Sequence, residues 1–178
     1  MRFRQVVLFN GEEFEVPQGI QRIDHRATHG WQLRYGGTKM FSDHSADGSG
    51  AAAALDRATR ELLRRIATLA APTTLQRGPS QSKSSQLPPG ISGPIVRLRR
   101  GSSVRDASLA VLIPRYGEKP QRRSIYIGTE NTYTLQKYEA ALARAIEMRR
   151  EAEQAYRRDV TRAKRAEGRQ LRAQRRAR

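Results

Sequence analysis

The sequence predicts an α+β fold of two small modules, each a three-stranded antiparallel sheet packed on one helix, with an extended basic C-terminal helix or tail. Three observations carry this. The alternating run SIYIG at Ser124–Gly128 gives way within a few residues to apolar positions spaced by three and four, and KMF at Lys39–Phe41 stands ahead of a similar change. The flanks repeat, with Pro17-Gln18-Gly19-Ile20 before QRIDHR and Pro88-Pro89-Gly90-Ile91 before PIVRLRR. Between the copies, residues 71–90 are rich in Ser, Pro, Gln and Gly and nearly free of large apolar side chains, so they cannot join a core and read as a flexible linker. The expected division is a hairpin plus the first module over 1–70, a linker over 71–90, a second module over 91–150 and a basic tail over 151–178, helical or disordered.

The elements follow in order. VVLFNGEEFEV places Asn10-Gly11 between two strand-like runs, the signal of a two-residue hairpin, and its Glu12, Glu13 and Glu15 argue against phosphate contact. It is expected to cover the edge of the first sheet. QRIDHR, WQLRY and KMF are the strands of the first module. Asp47 or Ser49 can cap the first helix, whose apolar positions are 52, 55, 58, 62, 66 and 69. PIVRLRR, SLAVLIPRY and SIYI are the strands of the second module. Its helix is expected to begin near Asn131 or Thr132, with Leu135, Tyr138, Leu142, Ala145 and Ile146 on one face. Alanine on the buried side lets a helix lie close to a small sheet. The other sheet face is left for function.

Charge narrows the partners. Lys and Arg total 34 against 17 acids, a formal net charge of +17, and residues 149–178 hold 12 basic and 4 acidic side chains. Such a balance points to a polyanion, most simply nucleic acid. Cysteine is absent, which removes disulfides and thiolate metal sites. The N-terminus turns polar too early for a signal peptide, and no apolar run approaches the roughly 20 residues that span a bilayer. A cytoplasmic, nucleoid-associated protein with no membrane partner is expected.

Gly-Ile at the first strand, Gly30-Trp31-Gln32-Leu33-Arg34 at the second, and Tyr126-Ile127-Gly128-Thr129 running into an Ala-rich helix resemble the Apetala/ethylene-response-factor type of DNA-binding domain, in two degenerate copies. The resemblance covers roughly residues 17–70 and 88–150; the second copy lacks the Trp and the first has Phe41-Ser42-Asp43 where Gly-Thr would stand. It implies a three-stranded sheet lying in the major groove, held from behind by the helix.

Strand alternation supplies candidates independently. Trp31, Leu33 and Tyr35 would face the helix and Gln32 and Arg34 the groove; Val96 and Leu98 would face in, with Arg97 and Arg99 out. Ile125 and Ile127 would face in while Arg122, Ser124 and Tyr126 face out. In QRIDHR the register is open, so either Gln21 or Arg22 faces the groove. Arg can donate twice to guanine O6 and N7, and Gln can pair with adenine. Trp31 reads as core rather than as a base-stacking platform. The run Leu109–Pro114 is apolar at successive positions, which suggests burial on both sides or a protein partner; the hairpin is the other possible partner surface.

The tail candidates are Arg162, Lys164, Arg165, Arg169, Arg172, Arg175, Arg176 and Arg178, a sequence-independent phosphate clamp that would serve RNA equally well. His25, His29 and His44 lie near Asp24, Asp43 and Asp47 without ligand spacing, so no metal, cofactor or catalytic residue is expected. The expectation is a non-enzymatic double-stranded DNA-binding protein of a bacterium or phage, serving as a transcriptional regulator, nucleoid-architectural protein or mobile-element accessory factor. The alternatives are a structured-RNA or ribosome-binding protein, an assembly protein, and a metal-dependent nuclease.

Overall fold

The computed structural model describes residues 1–26, 28–76, 78, 85–99, 101 and 103–177. The fold is α+β, with three antiparallel sheets of two or three strands and two helices. The chain gathers into two compact units: Met1–Pro72 together with Val160–Arg178, and Thr73–Asp159.

The first unit opens with a hairpin of β1 (Phe3–Val7) and β2 (Glu13–Pro17). Its loop is longer than the two residues expected from Asn10-Gly11, because Val7 and Glu13 are the last pair. Leu8 N–H donates to the Glu12 carbonyl at 2.9 Å, and Asn10 Oδ1 accepts from Glu12 N–H at 3.1 Å. This tightened loop turns Leu8 into the core. Strands β3 (Ile20–His25), β4 (Thr28–Arg34) and β5 (Thr38–Ser42) follow as a sheet in that order, backed by α1 (Ala51–Thr68).

Trp31 is the centre of this unit, as its size predicts. It is fully buried, its indole N–H donates to the Ala51 carbonyl at 2.8 Å, and Phe14 meets its ring edge-on at 5.7 Å. Ala51, Ala54 and Ala58 are fully buried beside Leu62 and Ile66, so the close face of α1 is alanine and the wider contact lies at its far end. Residue 52 is exposed and Leu69 lies past the helix, which corrects the expected stripe by about one position at each end. Burial of Leu33, Leu62 and Ile66 contributes roughly 1.5–3 kcal/mol each. The helix is not capped by Asp47 or Ser49. Gly50 is the N-cap without a side-chain hydrogen bond, while Asp47 accepts from Ser49 N–H at 3.0 Å and Ser45 from Gly50 N–H at 3.1 Å. A Cβ at Gly50 would sit 1.8 Å from the Asp43 carbonyl oxygen, so only glycine fits.

The second unit is a sheet of β6 (Ile91–Leu98), β7 (Arg105–Ile113) and β8 (Gln121–Thr129), again in sequential order, with the first part of α2 (Leu135–Arg176). Its core gathers Ile91, Leu109, Val111, Ile125 and Ile127 under Ala141 and Ala145. The helix starts later than expected. Thr134 caps it, accepting from Lys137 N–H at 3.2 Å, while the Thr132 hydroxyl is engaged by Thr129 N–H at 2.9 Å. Leu135 and Ile146 are exposed and Ala141 is the buried residue the spacing missed. Arg149 ties the helix to the sheet, donating to the Leu112 carbonyl and, at 2.7 Å, to Glu153.

The last part of α2, from Val160, belongs to the first unit. Leu171 is buried there, and Gly168 lies so close to α1 that a Cβ would stand 2.8 Å from Ile66 Cγ2. Arg175 pairs with Asp56, and the N-terminal ammonium lies 3.9 Å from Glu167. Among the described residues, no helix is long and apolar enough to cross a membrane.

Candidate nucleic-acid interface

Register decides which side chains share a face. In the first sheet Ile20 pairs with Leu33, Gln21 with Gln32 and Arg22 with Trp31. Gln21, Gln32 and Arg34 therefore stand opposite the helix side, and Arg34 Nε donates to Gln32 Oε1 at 2.5 Å. Arg22 does not join them. It lies on the helix side, its guanidinium 5.1 Å from the Trp31 ring and 2.7 Å from both Asp24 Oδ1 and Asp43 Oδ2, with only 8% of its side chain exposed. Burial alone would lower its pKa, but the hydrogen bonds and charges of Asp24 and Asp43 raise it above the ordinary arginine value. Burial likewise pushes Asp24 up, and the hydrogen bonds from Arg22 and His29 outweigh this to hold it below the ordinary aspartate value. A groove contact at Arg22 is thus replaced by a structural ion-pair cluster.

In the second sheet Arg97 pairs with Asp106, Ser108 with Tyr126, Ala110 with Ser124 and Leu112 with Arg122. These residues form the face opposite the core. An irregularity between Ala107 and Ser108 leaves Ile127 as the extra residue and brings Thr129 across from Asp106. The face is small in the middle, at Ser108, Ala110 and Ser124, and carries exposed Arg97, Arg122 and Tyr126 around it. Arg99 lies just past β6 and, with Asp106, Tyr126 and Thr129, borders a hollow of about 430 Å³. Val96 and Leu98 fall on the helix side by register but are 59% and 68% exposed, so they are not the core residues their alternation suggested. Leu109, Ala110, Val111 and Pro114 are buried and Leu112 is exposed, so the apolar run is mostly spent inside this unit.

The tail candidates separate by their place on the helix. Arg162, Arg165, Arg169, Arg172 and Arg176 are exposed and recur at spacings of three and four, one stripe about 21 Å long on α2. Lys164 instead reaches Glu167 at 2.9 Å and Arg175 reaches Asp56. Arg178 lies outside the described residues.

His29 Nδ1 is 2.9 Å from Asp24, whose carboxylate already faces Arg22. Among the described residues, no group of three His, Asp or Glu side chains is placed to hold a metal. Two residues went unnoticed in the sequence: Arg2 and Arg4, which line a cleft with Arg34. Their signal was basic residues alternating along β1, obscured by the acids on the paired strand. No protein-family model, curated protein or solved structure matches the chain.

Proposed function

We propose that this chain is a non-enzymatic double-stranded DNA-binding protein, reading bases with the outer face of its second sheet and holding phosphates with the arginine stripe of α2. A role in transcriptional regulation, nucleoid architecture or mobile-element function would follow from such binding, on the nucleoid. The observation that carries the reading is that outer face: Arg97, Arg122, Ser124 and Tyr126 project from one side of a narrow sheet whose centre is small enough to approach base edges. A two-stranded or broader ribbon fits the major groove, where Arg forks meet guanine and Tyr meets a sugar or thymine methyl. Asp106, across from Arg97, can accept from a cytosine amino group.

The test is binding of the full chain to random and selected duplexes over a salt series, with a structured RNA of equal length as competitor. Duplex preference with a steep salt slope supports the reading, and preference for the RNA would replace it. Arg97→Ala and Arg122→Ala should each cost about 1–3 kcal/mol on the selected duplex and little on scrambled DNA. Equal loss on both duplexes would reduce them to phosphate contacts.

A further inference from the structure

We propose that the cleft between the N-terminal hairpin and the first sheet is a phosphate-binding site, taking a phosphate either of a nucleic-acid backbone or of a free nucleotide. The cleft holds about 360 Å³ and is lined by Arg2, Phe3, Arg4, Gln18, Gly19, Ile20, Gln21 and Arg34. Three arginine residues thus line one hollow, and among the described residues no Asp or Glu lines it. Among the described residues none of the three is ion-paired.

The hairpin's acids do not offset this charge. Glu13 and Glu15 pair across with Val7 and Gln5, whereas Arg4 pairs with Val16 on the opposite hairpin face. Three cationic side chains around one hollow give it a positive potential, which favours an anion there. The cationic groups are also held in place. Arg4 Nη2 donates to the Ile20 carbonyl at 3.0 Å, and Arg34 Nε to Gln32 at 2.5 Å. Each guanidinium carries five N–H donors, so both keep donors for phosphate oxygens, whose geometry the planar fork matches. Gln18 and Gln21 add amide donors, and half-exposed Phe3 gives a flat apolar wall for a sugar or base.

The experiment uses the full chain with two probes, adenosine monophosphate by calorimetry and a 20-base-pair duplex over a salt series. The variant R2A/R34A spares Arg4 and its bond to Ile20, and R2K/R34K keeps the charge. Removing both arginines should weaken the nucleotide at least tenfold, or make the duplex salt slope shallower by about 0.9 per lost contact. The lysine pair should retain most of either effect. Loss with the nucleotide alone assigns the site to free nucleotides, and stands even if the chain binds no duplex. Loss with the duplex alone assigns it to a backbone phosphate. Wild-type behaviour of R2A/R34A towards both probes, or no binding of either probe by the unaltered chain, overturns the site. Should the double variant unfold, R2A alone serves, since Arg2 meets Gln18 through its backbone carbonyl.

Discussion

At Arg22 the side-chain chemistry and the strand register lead to different expectations. The triplet Gln21-Arg22-Ile23 alternates either way, so the sequence left open which residue turns from the core. Pairing with Trp31 resolves it, and two carboxylates make the inward position tolerable: Asp24, two residues on along the same face of β3, and Asp43, just past β5, which no local pattern ties to Arg22. The Asp43 side chain is fully buried, so loss of its counter-charge leaves an uncompensated carboxylate. Arg22→Met should therefore cost about 3–5 kcal/mol, and a second change of Asp43 to Leu should recover much of the loss. Trp31 is the one Trp of the chain and sits in this core, so its fluorescence during denaturation reads the first unit alone. An Arg22→Met protein as stable as the parent would dissolve the cluster as a structural element. Glu61 gives a pH counterpart. Hydrogen bonds from Arg64 and Arg65 hold its carboxyl at about 2, against an ordinary 4.5. A lowered folded-state value means that its stabilisation is whole above the unfolded value and is lost as pH falls from about 4.5 towards about 2. Glu61→Gln should flatten that part of the acid-unfolding curve, followed through Trp31. An unchanged slope there would mean that the two hydrogen bonds carry no stability.

At the level of elements, the strands were legible because period-two alternation survives wherever one sheet face is buried. Trp31, Leu33, Ile125 and Ile127 all face inward as alternation required. Where the sequence misled, the reason was coverage rather than direction: Val96 and Leu98 share the helix side yet remain exposed. Helix faces slipped by a position because alanine and larger apolar residues surround both helices, and spacing cannot say which alanines are close. Gly168 is the clearest case. It reads as a weak point of a basic helix, worth about 1 kcal/mol against alanine, but it is the place where α2 meets Ile66 of α1. Ile66 is β-branched and 1% exposed, so its methyl cannot swing aside. Gly168→Leu should lower the stability of the first unit despite its better helix propensity, by about 1–3 kcal/mol as in other overpacked contacts. A stabilised protein, seen through Trp31, would show that the last part of α2 does not pack on α1 in solution.

For the whole molecule, charge alone makes a polyanion the expected partner, and the concentration of that charge in the last thirty residues is plain to count. What the sequence could not show is that the basic side chains of the tail fall into two sets on the helix. A helix projects its residues at about 100° steps, so Arg162, Arg165, Arg169, Arg172 and Arg176 fall within less than a quarter-turn, while Lys164 and Arg175 turn towards Glu167 and Asp56. The two groups interleave in the sequence; Arg175 is set apart by the docking of α2 on α1, whereas Lys164 pairs with Glu167 of its own helix. Their removal should give different results. R165A/R169A/R172A takes three exposed charges from a stripe whose 21 Å equals roughly six steps of duplex, and should weaken all duplexes alike. The slope of log affinity against log salt should become shallower by up to about 2.7, at about 0.9 for each lost phosphate contact, with the melting of the first unit unchanged. K164A/R175A removes charges already paired within the unit, and should shift melting while leaving the slope near that of the parent. Two variants that change the slope equally per charge would mean that DNA senses the bulk charge of the tail and not the stripe, and a stripe variant that loses preference for one sequence would make α2 a reader of bases.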